Sequence, residues 1–211
     1  MAYTTIDDPS AHFNITLYTG DGNDDRSITN SANAGDFQPD WLWIKQRNTT
    51  RHHMLVDSNR GATKHLSTSL TNGESTNANG VQAFESNGFE IGTDTDVNQN
   101  SGTYVAYQWK ANGGTTSSNS DGSITTTVQA NQTAGFSIVT YTSAAGGQTI
   151  GHGLGAVPEL YIIKERTTSG DDWFVYSKHI GAGKKLRLSG ANAAESDTNI
   201  WQNTAPTNQI A

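Results

Sequence analysis

The stretch Pro39-Asp-Trp-Leu-Trp-Ile-Lys45 returns later in the chain as Pro158-Glu-Leu-Tyr-Ile-Ile-Lys164, at an offset of 119 residues. In both stretches a proline and an acid precede four consecutive apolar residues, and a lysine ends the run. Successive side chains of a strand point to opposite faces, so a strand that is apolar at every position is buried on both faces. The two stretches therefore predict equivalent strands, each packed between a sandwich core and a neighbouring unit.

The similarity extends well beyond these two strands. Downstream the offset becomes 120, and Gly61-Ala62 matches Gly181-Ala182. Upstream, Phe13-Asn-Ile15 matches Phe136-Ser-Ile138 at an offset of 123. Blocks in the same order and at nearly constant spacing indicate a tandem repeat.

The composition favours strands joined by turns. Charged residues make up 16% of the chain and apolar residues 33%, while glycine alone accounts for 22 of the 211 residues. Thr suits a pleated strand, and Gly, Asn and Ser supply turn conformations. We therefore predict an all-β fold with almost no helix, made of two tandem jelly-roll or lectin-like β-sandwich units. The strand candidates of the first unit are 13–18, 41–46, 53–57, 64–68, 81–91 and 103–110.

The repeat and a segment rich in Gly, Ser and Asn together predict the domain organisation. In chain order the predicted parts are an N-terminal arm (1–10), a first sandwich (11–111), a flexible linker (112–123) and a second sandwich (124–211).

The second unit is predicted to be incomplete. Ile210-Ala211 aligns with Phe89-Glu90, and nothing after it corresponds to Thr103–Lys110, the clearest strand of the first unit. Because an exposed strand edge is a pairing site, we expect either a continuing polypeptide or another chain to supply the missing strand. The sequence thus predicts a homo-oligomer, either a trimer or a repeating fibre.

Charge and composition argue against several classes of function. The formal net charge is −7, and the longest basic cluster is the pair Lys184-Lys185, so no nucleic-acid partner is expected. The chain has no cysteine, which removes disulfides, thiolate metal sites and thiol nucleophiles. No signal peptide is recognisable at the start, and no apolar run is long enough for membrane insertion.

Two short motifs resemble ligand sites, but each lacks a necessary part. Asp21–Asp25 spaces its acids like the opening of a calcium loop, but Arg26 takes the position of the required glycine. Gly151–Gly155 is rich in glycine like a phosphate-binding loop, but it leads into a strand where such a loop opens a helix. The histidines at 52, 53, 152 and 179 are scattered. The sequence therefore predicts neither a bound metal nor a cofactor.

Acidic residues were weighed as catalytic groups. Glycosidases hold two carboxyl groups across a cleft, and the candidates here are Glu85, Glu90, Asp94 and Asp96. The second unit does not repeat such a pair, and no Gly-x-Ser-x-Gly elbow supports a hydrolase. We therefore predict no catalytic residues and no enzymatic activity.

Trp41 and Trp43 are the most informative aromatic residues. They point to one face of their strand, where they could either pack against protein or stack on a glycan. In the second unit Leu160 and Ile162 occupy the aligned positions. Replacement by aliphatic residues favours packing over glycan contact.

Several of these segments resemble virion proteins of tailed phages, particularly marine phages, in which similar domains occur in tandem. The resemblance covers nearly the whole chain and is carried by Leu17–Gly22, Gln38–Lys45, Asp57–Ala62, Gly102–Lys110, Asn131–Val139 and Gly151–Pro158. It implies a tail-fibre or other structural role and brings no catalytic or binding residues with it.

The resemblance and the polar, cysteine-free composition lead to one main hypothesis. We expect a virion structural protein, assembled in the host cytoplasm, which contacts other virion proteins and a host-surface glycan as part of a tail fibre or surface appendage. The first alternative is a lectin-like carbohydrate-binding module. The second is a depolymerase that cuts host polysaccharide.

Overall fold

The computed structural model describes residue 6, residues 8–30 and residues 37–211. Strands make up 38% of the structure and helices 4%. The described helices are α1 (Thr95–Asn98), which spans a single turn, and a 3₁₀ turn at Pro9–Ala11. The all-β prediction is confirmed.

The strands alternate with turns along the whole chain, as the composition predicts. In the first unit (residues 11–111) they are β1 (Phe13–Thr19), β2 (Arg26–Thr29), β3 (Trp41–Gln46), β4 (Met54–Asp57), β5 (Lys64–Ser67), β6 (Ser75–Thr76), β7 (Val81–Glu85), β8 (Gly88–Ile91) and β9 (Thr103–Trp109). Farther along they are β10 (Ser117–Asn119), β11 (Thr126–Asn131), β12 (Phe136–Thr140), β13 (Leu160–Ile163), β14 (Phe174–Ser177), β15 (Lys184–Arg187) and β16 (Glu195–Ser196).

The first unit consists of two antiparallel sheets that face each other. One has the strand order β1-β9-β3-β4-β5-β6 and the other β2-β8-β7. Their facing side chains form one apolar core, in which Leu42, Ile44 and Phe89 are fully buried. Since the alternating residues of β3 and β8 reach this core, the period of two in the sequence accounts for the sandwich. The buried members of the core are Ile28, Leu42, Ile44, Met54, Val56, Val81, Phe89, Ile91, Val97, Tyr104 and Ala106.

The opposite face of the six-stranded sheet is covered by the second unit (residues 124–211). Trp173 is buried against Leu55 and Leu66, and its indole N–H donates to backbone carbonyls of the first unit at 3.1 Å. Trp41 lies 6.3 Å from Phe136, measured between ring centroids. Strand β3 is therefore enclosed on one face by its own sandwich core and on the other by the second unit.

Residues that the sequence repeat aligns are paired in the same way in both units. Trp43 lies opposite Leu55 across β3 and β4, and Ile162 lies opposite Val175 across β13 and β14. The order β13-β14-β15-β16 thus parallels β3-β4-β5-β6. The predicted division into two tandem sandwiches with the stated boundaries remains a prediction.

The last described residues also take up a paired position. Gly151 forms an antiparallel bridge with Ile210, where the first unit pairs Ile28 with Phe89. The alignment of Ile210-Ala211 with Phe89-Glu90 therefore coincides with an equivalent backbone pairing.

The segment predicted to be a flexible linker, residues 112–123, is bound to the fold at both ends. Strand β10 pairs with β11, and the buried carboxylate of Asp40 accepts backbone hydrogen bonds from Gly113 and Gly114 at 2.8 and 2.6 Å. A buried carboxylate is stabilised by several hydrogen-bond donors, and the backbone N–H groups of the two glycines can approach it because no side chain blocks them. Composition alone suggests flexibility here and misses these bonds.

Candidate functional site

The most distinctive feature of the second unit is a pair of strand edges that have no partner among the described residues. In the first unit β9 lies between β1 and β3 and is antiparallel to both. In the second unit β12 ends one sheet and β13 ends another, so that within the described residues each has a strand partner on one edge alone. By the repeat alignment, β12 and β13 are the counterparts of β1 and β3. The repeat alignment therefore predicts that the open edges flank the position that β9 fills in the first unit.

A groove of about 370 Å³ lies at one end of the β11–β12 hairpin, next to Arg166, which follows β13. It is lined by Ile124, Thr125, Thr127, Thr140, Tyr141, Thr142 and Arg166. Two of these residues, Tyr141 and Arg166, are the repeat counterparts of Tyr18 and Arg47.

In the first unit, Tyr18 and Arg47 hold the beginning of β9. The ring of Tyr18 stacks on that of Tyr104 with 5.0 Å between centroids, and the backbone N–H of Arg47 donates to Thr103 at 2.6 Å. By the repeat alignment, Tyr141 and Arg166 stand where a strand equivalent to β9 would begin.

An exposed apolar row lies along the same edge. Leu160 and Ile162 of β13 are 58% and 38% exposed, and Val157 just before them is 56% exposed. Their counterparts Trp41 and Trp43 are partly buried against aromatic neighbours. Exposed apolar side chains beside an unpaired edge are typical of a surface that binds another chain.

Tyr141 in the groove and the two residues that precede Arg166 have shifted pKa values. Burial raises the pKa of the Tyr141 phenol. Hydrogen bonds from the hydroxyl and backbone groups of Thr167 and Thr168 lower the pKa of Glu165 to about 2. Burial lowers the pKa of Lys164. The rest of the lining consists of threonines and Ile124 beside the Arg166 guanidinium, so the groove offers hydroxyl groups together with one cation.

Of the two tryptophans singled out from the sequence, Trp41 contacts the second unit through Phe136, whereas the aromatic neighbours of Trp43 belong to the first unit. Trp41 packs edge-to-face on Trp109, with centroids 4.5 Å apart. Trp43 lies 6.5 Å from Tyr107 and 5.9 Å from His53. The neighbours of both indole rings are protein side chains.

We expect Trp41→Ala to lower the free energy of unfolding by roughly 2 kcal/mol or more, somewhat below the cost for a fully buried tryptophan. The lost contacts are those with Trp109 and Phe136, and urea denaturation measures the effect. Tyr107→Ala, on the same face but 37% exposed, is the matched control and should cost less. Loss of glycan binding by Trp41→Ala with unchanged stability would contradict the packing role.

The motifs weighed as ligand sites have structural partners. Asp21 forms an ion pair with Arg26 at 3.3 Å, so a cationic side chain of the protein already faces this carboxylate. Gly151 accepts a hydrogen bond from Thr126 at 3.0 Å within a turn that leads to β13. In the part of the chain that the structure describes, no three His, Asp or Glu residues cluster as a metal site would require.

Three of the four acids considered as catalytic groups have side-chain partners. Glu85 accepts a hydrogen bond from Ser27 at 2.7 Å, and Asp96 pairs with Arg51 at 3.4 Å. Asp94 caps α1 by accepting from the backbone N–H of Asp96 at 2.6 Å. The predictions of no enzymatic activity, no metal and no cofactor remain predictions.

Tyr141 and Arg166 were not recognised as site residues from the sequence. The sequence aligns Tyr18 with Tyr141 and Arg47 with Arg166. This alignment indicates a strand-binding position only when β9 is known to lie between β1 and β3. That order is a long-range feature which the repeat alone does not reveal.

Comparison with known families adds one assignment to this antiparallel all-β architecture. The family described as Domain of unknown function (DUF7483) matches residues 8–211, and the chain belongs to it. No curated protein and no solved structure matches the chain. Among the described residues, no helix is long and apolar enough to cross a membrane.

Proposed function

We propose that this chain is a non-enzymatic structural protein of a phage virion, a subunit of a tail fibre or surface appendage that assembles through the open edge of its second unit. The observation that carries the proposal is that β13 has an exposed apolar row and one edge to which no described strand is paired. The resemblance of Gln38–Lys45 and Gly102–Lys110 to virion proteins supplies the biological setting.

The physical argument is that such an edge is costly to leave in water. The unpaired N–H and C=O groups are a pairing site for another strand. Each Å² of apolar surface of Leu160 and Ile162 that a partner covers makes the free energy of association more favourable by about 25 cal/mol. Addition of a strand satisfies both needs at once. A protein that acts by self-assembly uses this edge, and a monomeric binding module would be expected to protect it.

We expect the purified protein to form a homo-oligomer at micromolar concentration, either a trimer or a repeating fibre. Sedimentation velocity measures the mass, and electron microscopy of the assembly gives its symmetry. Hydrogen exchange should show protected amides in β13. A monomer whose β13 amides exchange freely would refute the proposal.

The alternatives have separate readouts. Binding on a glycan array by a stable monomer would favour the lectin-like module. Release of oligosaccharides from host polysaccharide would favour the depolymerase. Host-surface contact as part of the assembled appendage predicts glycan binding that depends on oligomerisation.

A further inference from the structure

We infer that the partner of the β13 edge is β1 of a second copy of this chain, which pairs with it antiparallel. In this register Leu17 lies opposite Leu160, and Ile15 lies opposite Ile162. The inference rests on the proposed function, because it names the strand that binds the same edge. Like β13, β1 ends its sheet, and its outer edge has no strand partner among the described residues. Pairing the two edges joins two copies through one continuous sheet.

The exposed large apolar side chains of the described residues form two clusters, one at each of these edges. In β1, Ile15 and Leu17 are 47% and 62% exposed, and Tyr107, which is 37% exposed, lies opposite Ile15 on β9. The second cluster is the exposed row of β13 and the valine before it. Exposed apolar clusters of this kind mark surfaces that bind another molecule. Because each cluster is apolar, each can cover the other.

The spacing of the two apolar rows matches across an antiparallel pair. In the first unit β3 is antiparallel to β9, and Trp41 lies opposite Trp109. By the repeat alignment, Leu160 is the counterpart of Trp41. A strand that binds β13 as β9 binds β3 therefore has to present apolar side chains at alternate positions on this face. In β1, Ile15 and Leu17 meet this requirement, since they are two positions apart and both exposed.

The distribution of charge favours a contact between unlike edges. Residues 11–111 contain seven Lys or Arg and eleven Asp or Glu, a formal net charge of −4, whereas residues 124–211 contain six of each. Two β1 edges would bring two negative units together, which is unfavourable, while β1 against β13 places a negative unit beside a neutral one. Pairing of β13 with itself would leave the cluster on β1 in water.

The two edges lie on different units, β1 on the first and β13 on the second, so the contact is heterologous. Each copy offers one edge of each kind and can bind two neighbours. Such a contact closes into a ring if the rotation between copies allows it and otherwise continues as a fibre. Both outcomes match the predicted trimer or fibre.

The absence of cysteine from the sequence allows a direct cross-linking test with full-length chains. Residues directly opposite each other in antiparallel strands have Cβ atoms about 4.5–5.5 Å apart, close to the distance that a disulfide spans. Chains carrying Ile15→Cys are mixed with chains carrying Ile162→Cys and oxidised. We expect a covalent dimer of twice the 22.6 kDa chain mass, formed in the mixture and in neither variant by itself at comparable yield. Chains carrying Thr29→Cys, an exposed position on β2, replace the first variant as the control and should not cross-link.

A second measurement tests the β1 edge with a single substitution. Leu17→Lys should weaken association about tenfold or more, because the leucine side chain is no longer buried in the contact and lysine on an edge strand disfavours pairing. The matched control is Thr29→Lys, which adds the same charge to β2, the strand that ends the other sheet of the first unit. This control should leave association unchanged. Sedimentation velocity over a concentration series gives both values.

The possible failures are distinguishable. If the protein assembles but Leu17→Lys has no effect and the mixed variants do not cross-link, β1 is not the partner of β13, and the proposed assembly function stands. If chains carrying Ile15→Cys cross-link with one another as well as the mixture does, two β1 edges pair, which also overturns the inference and leaves assembly intact. If the unaltered protein is a monomer at micromolar concentration, the proposed function fails and the inference fails with it.

Discussion

Leu160→Lys combined with Ile162→Lys is expected to abolish assembly at micromolar concentration while leaving a folded monomer. Both side chains are exposed, so the substitutions cost the fold little. In the assembly, burial of each apolar side chain contributes about 1.5–3 kcal/mol to the free energy of association, and the substitutions remove this contribution. Lysine on an edge strand also disfavours strand pairing. The loss of about 3 kcal/mol corresponds to an association at least about 100-fold weaker. Sedimentation velocity over a concentration series measures the change.

The matched control is Ser118→Lys. Ser118 is exposed and lies on β10, which also ends its sheet, but it has no apolar row beside it. This variant should assemble like the unaltered protein. Equal loss of assembly in both variants would mean that added charge, and not the β13 edge, is responsible. Unchanged assembly in the double variant would rule out β13 as the contact.

Arg60→Met is expected to lower the free energy of unfolding by about 3–5 kcal/mol. The Arg60 side chain is 3% exposed and joins Asp57 at 2.6 Å and Glu74 at 3.0 Å. Methionine fills a similar volume but leaves both carboxylates without their main cation, one of them in a buried position. Urea denaturation followed by tryptophan fluorescence measures the effect.

Arg166→Met provides the comparison within the same network. Arg166 belongs to the second unit, contacts Glu74 at 3.5 Å and is 38% exposed, so its removal should cost less than about 1 kcal/mol. If the two arginine variants lose equal stability, the network acts mainly as a bridge between the units. If neither variant loses stability, the carboxylates of Asp57 and Glu74 do not depend on these two arginines, and the expected role of Arg60 is wrong.

Much of the architecture follows from the sequence because strand patterns are local. The alternation in β3 and β9 assigns each side chain to a face, and Gly, Asn and Ser between strands break the chain into short segments. The repeat adds that β3 and β13 are equivalent, and the structure pairs their residues in matching registers. Strand β2, in contrast, is absent from the predicted strands, because Ile28 is the one apolar residue in Arg26–Thr29 and so no alternation is visible.

Only the tertiary structure decides which faces and edges meet. Leu55 and Trp173 are 118 positions apart in the chain, and no local pattern indicates that one covers the other. The same holds for Asp40, whose carboxylate accepts hydrogen bonds from the backbone N–H groups of Gly113 and Gly114, in a segment that composition describes as flexible. The open position beside β13 is visible once β9 is known to lie between β1 and β3. The pattern of apolar and polar residues along a strand indicates which side chains are buried. The order of strands in a sheet depends instead on backbone pairing between segments that are distant in the sequence.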